Sequence, residues 1–102
     1  MKNEVRETLE EMRSAYEGFS YDDVVDLEWR DKEPIQIDGK KYHPAVWSQT
    51  FSDKSALLVV QLTRWYFLKI VGSTDCIGFT IDPADARQNV DERWLMNEVG
   101  HP

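Results

Sequence analysis

Val5, Leu9, Met12 and Tyr16 recur at intervals of three and four, with Ala15 beside them and charged residues between. That is the period of one helix face, and it predicts an N-terminal helix opening near Asn3 and stopped by Gly18. Arg6 with Glu10, and Arg13 with Glu17, place opposite charges one turn apart. Such pairs stabilise a solvated helix by roughly a few tenths of a kcal/mol each and need no ligand to explain them. In SYDDVVDLEWRD, Ser20 and Asp23 have the spacing of a capping box, which favours a short second helix through Tyr21, Val24, Val25 and Leu27. Val25, Leu27 and Trp29 also alternate with Asp26, Glu28 and Arg30, so a strand is the alternative there.

From Pro34 the period falls to two. IQIDGKKY holds Asp38-Gly39 between alternating residues, the pattern of a type I′ hairpin that pairs Ile37 with Lys40 and Ile35 with Tyr42. Pro44 has no N–H for a ladder, so the strand is expected to run along an edge or to bulge there, and to continue through Ala45 to Phe51. In ALLVVQLTRWYFLKIVG, eight of the fifteen residues from Leu57 to Val71 are β-branched or aromatic. A strand covered on both faces accounts for that better than a helix, running from about Ala56 to Trp65 with an irregular continuation. Gly72 to Asp75 then reads as a turn, and CIGFTID as a last strand with Ile77, Phe79 and Ile81 on its bulky face and Cys76, Gly78 and Thr80 on its small one. Asp82 and Pro83 fit the N-cap and first position of a C-terminal helix, with a second start near Asn89 and Trp94, Leu95 and Val99 turned inward before Gly100. The expected architecture over residues 1–102 is one α+β domain: an N-terminal helix and a short second one, a four-stranded antiparallel β-meander, and a C-terminal helix, with the helices packed on one sheet face.

Charge changes the picture of partners. The net charge of −7 divides into −6 over residues 1–33, +3 over 34–73 and −4 over 74–102. Acidic ends disfavour a nucleic-acid backbone as partner, although Lys40, Lys41, Arg64 and Lys69 could form a local basic patch. With 41% hydrophobic residues the chain can build a core without disulfides or metals. The charged opening MKNEVRETLEEM does not resemble a secretory leader, no apolar run is long enough to span a bilayer, and the lone Cys76 has no partner for a bridge, so the expected location is the cytoplasm.

Catalytic patterns are weak. His43 and His101 are far apart, and one cysteine with two distant histidines matches no zinc spacing. Cys76 follows Asp75, a poor setting for a thiolate nucleophile, and is expected to be a small buried thiol. Asp22, Asp23 and Asp26, and Asp82 with Asp85, are better explained as charges at helix N-termini than as acid/base pairs. No catalytic, cofactor-binding or metal-ligating residue is assigned.

What remains is RWYFLK. On a regular strand Trp65 and Phe67 would share one face with Thr63 and Lys69, while Tyr66 would join the core with Leu62 and Leu68. Trp65, Phe67, Lys69 and the upstream Trp47 are therefore the candidate interface residues, since aromatic side chains dominate protein interfaces. The expected function is that of a small interaction or regulatory protein of bacterial type without catalytic activity, binding a protein partner or itself, as a homodimer, through the helix-free sheet face. Two alternatives stay open: a small-molecule-binding or enzymatic domain with its pocket on that face, and an acidic DNA mimic or inhibitor.

Overall fold

The computed structural model describes residues 3–67 and 71–98, apart from the side chains of 66, 67, 71 and 96–98. The chain is an α+β structure with helices towards both ends and an antiparallel sheet between them. Helix α1 covers Asn3–Ser14 and α2 covers Tyr21–Val25. Strands β1 (Arg30–Asp31), β2 (Ile35–Ile37), β3 (Lys40–Thr50), β4 (Ala56–Phe67), β5 (Val71–Ile81) and β6 (Arg87–Val90) follow, then α3 (Glu92–Glu98).

Helix α1 buries Val5 and Leu9, with Met12 packed beside them and Tyr16 buried in the turn that follows. Asn3 stands inside the helix rather than capping it, and Ala15 is exposed. Arg13 donates to the Gly78 carbonyl at 3.3 Å, so it ties the helix to the sheet. The segment at 20–25 is the short helix: Ser20 and Asp23 exchange both capping-box hydrogen bonds, and Asp85 reaches across to accept from the Tyr21 N–H at 2.7 Å.

The hairpin forms in the expected register, Ile37 opposite Lys40 and Ile35 opposite Tyr42, with positive φ at Asp38 and Gly39. The sheet has six strands rather than four, in the order β1-β3-β4-β5-β6, and β2 pairs the same edge of β3 as β1 does. Strand β3 is therefore flanked on both sides. Pro44 sits at the break between β1 and β2, where its carbonyl accepts from Lys32 N–H at 2.9 Å and the missing donor faces no ladder.

Two local expectations fail. Gly72 to Asp75 are strand, because the β4–β5 ladder runs on past Thr63–Thr74 to Trp65–Gly72. Asp82-Pro83 opens a turn rather than a helix: the Asp82 carboxylate accepts from the N–H groups of Ala84 and Ala86, Asp85 takes positive φ, and the chain returns as β6. Helix α3 starts later, capped by Asp91, whose carboxylate accepts from Trp94 N–H at 3.0 Å.

The helices also divide between the faces. Ala56, Leu58, Val60 and Leu62 of β4 pack with Val46, Ile77, Phe79 and Ile81 beneath α1 and α2. Leu57 and Val59 point the other way and pack with Val90 and Leu95 of α3. A strand apolar on both faces needs cover on both, which one layer of helices cannot supply. No helix among the described residues is long and apolar enough to cross a membrane.

Candidate functional site

Residues opposite one another in neighbouring strands share a face. On the α3 side, Trp47, Val59, Gly78 and Val90 make one row across the sheet. The next rows are Asp31, Ala45, Gln61 and Cys76, then His43, Thr63 and Thr74, then Trp65 and Gly72. Lys41, two residues before His43 and opposed in direction to the buried Tyr42, belongs to the same face.

Helix α3 is short. Its Leu95 is buried on Leu57 and Val59, and the rows beyond Cys76 lie outside its packing cluster. On those uncovered rows Trp65 keeps 44% of its surface exposed, and at the β1 edge of the face, beside the Trp47 row, Trp29 keeps 55%. Trp47 is half-buried and stacks on Trp29 with ring centroids 6.3 Å apart and planes 8° from parallel. Both indoles of the stack are anchored: Trp29 Nε1 donates to Asp31 Oδ1 at 2.9 Å, and Trp47 Nε1 to Gln61 Oε1 at 2.8 Å. At the other end, Gly72 leaves room for the Trp65 ring, since a Cβ there would stand 2.8 Å from Trp65 Cε3. The Thr63 and Thr74 hydroxyls hydrogen-bond across the strands at 3.1 Å. The result is a surface of aromatic, hydroxyl and amide groups on which the Trp29 and Trp47 indoles and the Thr63 and Thr74 hydroxyls are already partnered.

Of the four interface candidates, Trp65 and Trp47 fall on this face, about 20 Å apart along the strands at ~3.3 Å per residue. Phe67 pairs with Val71 across a register shift that leaves Tyr66 as the extra residue, so the regular alternation behind its expected direction ends at Trp65. The side chains of Phe67 and Tyr66, and all of Lys69, lie outside the described residues. Trp29 was the residue that sequence reasoning missed. Its signal was the alternation of Val25, Leu27 and Trp29 with Asp26, Glu28 and Arg30, set aside for the helix that the capping box rightly indicated just upstream.

Cys76 sits at the border between the covered and uncovered halves, half-buried rather than fully buried. Burial, then the carboxylates of Glu92 and Asp75, push its thiol up to about 11, the opposite of what a nucleophile requires. The Glu92 carboxyl is raised as well, first by desolvation and then by Asp75. Among the described residues no group of three or more His, Cys, Asp or Glu stands close enough together to hold a metal ion. On the opposite face, an open groove beside α1 has an apolar floor of Met12, Ala15, Tyr16, Ile35 and Pro44 and is also lined by Thr8, Glu11, Lys32 and Glu33. Comparison with protein-family models, curated proteins and solved structures finds no match to the chain.

Proposed function

We propose that this chain is a non-catalytic interaction protein that binds a protein partner, or itself, through the half of the sheet face that α3 leaves uncovered. The observation that carries the reading is the exposed Trp65 on that half, with the exposed Trp29 at the β1 edge of the same sheet face, held in a hydrogen-bonded stack with Trp47, which itself packs against the α3 cluster. Rigid aromatic side chains lose little conformational freedom on binding, and they supply most of the affinity where they anchor an interface. The cytoplasm is the proposed working place, in keeping with a lone, unbridged cysteine.

The test is site-specific photo-crosslinking in the expressing cell, with the photoreactive residue placed at Thr63 in the centre of the face or at Glu7 on the outer side of α1. Adducts from position 63, absent from position 7 and lost in a Trp29→Ser, Trp65→Ser background, are expected. Equal labelling from both positions, or adducts indifferent to the tryptophans, would reject the reading.

A further inference from the structure

We propose that this face takes a short acidic segment of another protein, laid across the strands over the two outermost rows, with a carboxylate at Lys41 and an apolar side chain on the Trp65 ring. The proposal rests on the preceding reading of the face and names the chemistry of the partner.

Shape sets the size of the occupant. The packing cluster of α3 includes Trp47 and reaches Cys76, so the layer above the sheet is taken up to the row of Gln61 and Cys76. Open among the described residues are the His43–Thr63–Thr74 row and, two residues further along each strand, Lys41, Trp65 and Gly72. Two such rows lie about 7 Å apart along the strands, and the outer two of three strands lie about 10 Å apart across them. That strip is too narrow for a second sheet lying flat beside α3. Extended chain at about 3.3 Å per residue crosses it in about four residues.

Charge sets the chemistry. The chain carries −7 in all, yet the stretch 34–73 that supplies β2, β3 and β4 carries +3. On the open rows Lys41 is exposed, His43 is half-buried, and no carboxylate stands among the described residues. Lys40 and Arg64 alternate onto the other face at the same end of the sheet and add to the positive field there. Asp31 belongs one row back, where it holds the Trp29 indole, and Glu92 acts on Cys76 in that same row. Asp75 is opposite the buried Leu62 and so turns to the α1 side. An acidic segment is therefore drawn to the outer rows and repelled from the border of α3, which fixes its position along the strands. The exposed Trp65 ring offers an apolar side chain a flat surface, and the Thr63 and Thr74 hydroxyls, bonded to each other, keep capacity for a further hydrogen bond. A nucleic-acid backbone requires a more concentrated basic footprint than Lys41 and His43 supply on a chain of this charge.

Amide and indole chemical shifts of the full chain, titrated with a capped hexapeptide of two glutamates, leucine, phenylalanine and two glutamates, measure the site. Shifts centred on His43, Thr63, Thr74 and the Trp65 indole are expected, with a dissociation constant on the order of 1 mM that rises with salt. Lys41→Glu should weaken binding about tenfold and Trp65→Ser about fivefold, as should replacing the leucine and phenylalanine of the peptide by glycine. Trp65→Tyr, which keeps a ring at that position, should bind within about twofold of the unaltered chain, and thermal unfolding of each variant separates lost binding from lost fold. No shifts at about 10 mM peptide, shifts centred elsewhere, equal binding of the peptide with lysines for glutamates, or indifference to Lys41→Glu each overturn the proposal. Tighter binding of an oligothymidylate than of the acidic peptide overturns it in favour of a phosphate ligand. In any of these cases, crosslinks from position 63 that depend on the tryptophans leave the interaction reading standing, and their absence removes both.

Discussion

The two faces of β4 begin alike and end differently. Beneath α1 and α2, Ala56, Leu58, Val60 and Leu62 are apolar and fully buried, and only then does the half-buried Arg64 follow. Towards α3 the series runs Leu57, Val59, Gln61, Thr63, Trp65: the first two are buried, and the last three carry hydroxyl, amide or exposed indole groups. The polarity changes where the helix ends. One face is therefore core as far as Leu62, while the other gives way to polar groups two residues earlier along the same strand, after Val59. Among the described residues the uncovered half exposes Trp65 rather than aliphatic side chains, and at the β1 edge Trp29 is exposed with its indole N–H partnered, an arrangement of apolar rings with polar handles that tolerates both water and a covering surface.

The sharpest test of the shared sheet is Gly78, in the row of Trp47 and Val59. A Cβ there would stand 2.1 Å from the Leu58 carbonyl oxygen, so β4 and β5 would have to separate. Gly78→Ala is expected to cost on the order of 4 kcal/mol or more, read as loss of cooperative unfolding in urea. Next come the faces themselves. Leu58→Ala opens the larger cluster and is expected to cost about 4 kcal/mol, whereas Leu57→Ala lies under a seven-residue helix that can settle into the space and should cost about 3 kcal/mol. Equal losses would mean that α3 is held as rigidly as α1.

Smaller effects probe the boundary. Trp65→Ser should cost about 1 to 2 kcal/mol, less than a fully buried aromatic, because the indole keeps much of its contact with water. Glu92 has a carboxyl pKa raised in the folded state, so it favours folding below its unfolded pKa, and that contribution is lost as pH rises through the folded value. Glu92→Gln should therefore raise the melting temperature slightly at neutral pH and leave it unchanged at acidic pH. Cys76 should react slowly with a disulfide reagent at pH 8, and faster as pH climbs towards about 11. Across that rise the fold loses whatever stability the protonated thiol contributed. Rapid labelling at pH 8 would show that the α3 border opens readily.

By itself the sequence determined the elements whose causes are local. The 3.6-residue period placed α1, the Ser20/Asp23 box placed α2, the Asp38-Gly39 turn set the β2–β3 register, and the doubly apolar tract marked β4 as a strand. Each depends on residues within a few positions of one another, so the signal survives without knowledge of the fold. Tertiary structure alone decided the rest. Asp82 serves a turn because β6 has a free edge of β5 to return to, and Gly72 is strand because Trp65 opposite it needs the space a side chain would take. The same holds for the candidate face. Trp29 joined Trp47 and Trp65 only because β1 pairs with β3 some fifteen residues downstream and α3 stops short on the other side. Which half of a sheet stays uncovered is a balance between helix length and strand length, and no short window of sequence contains both.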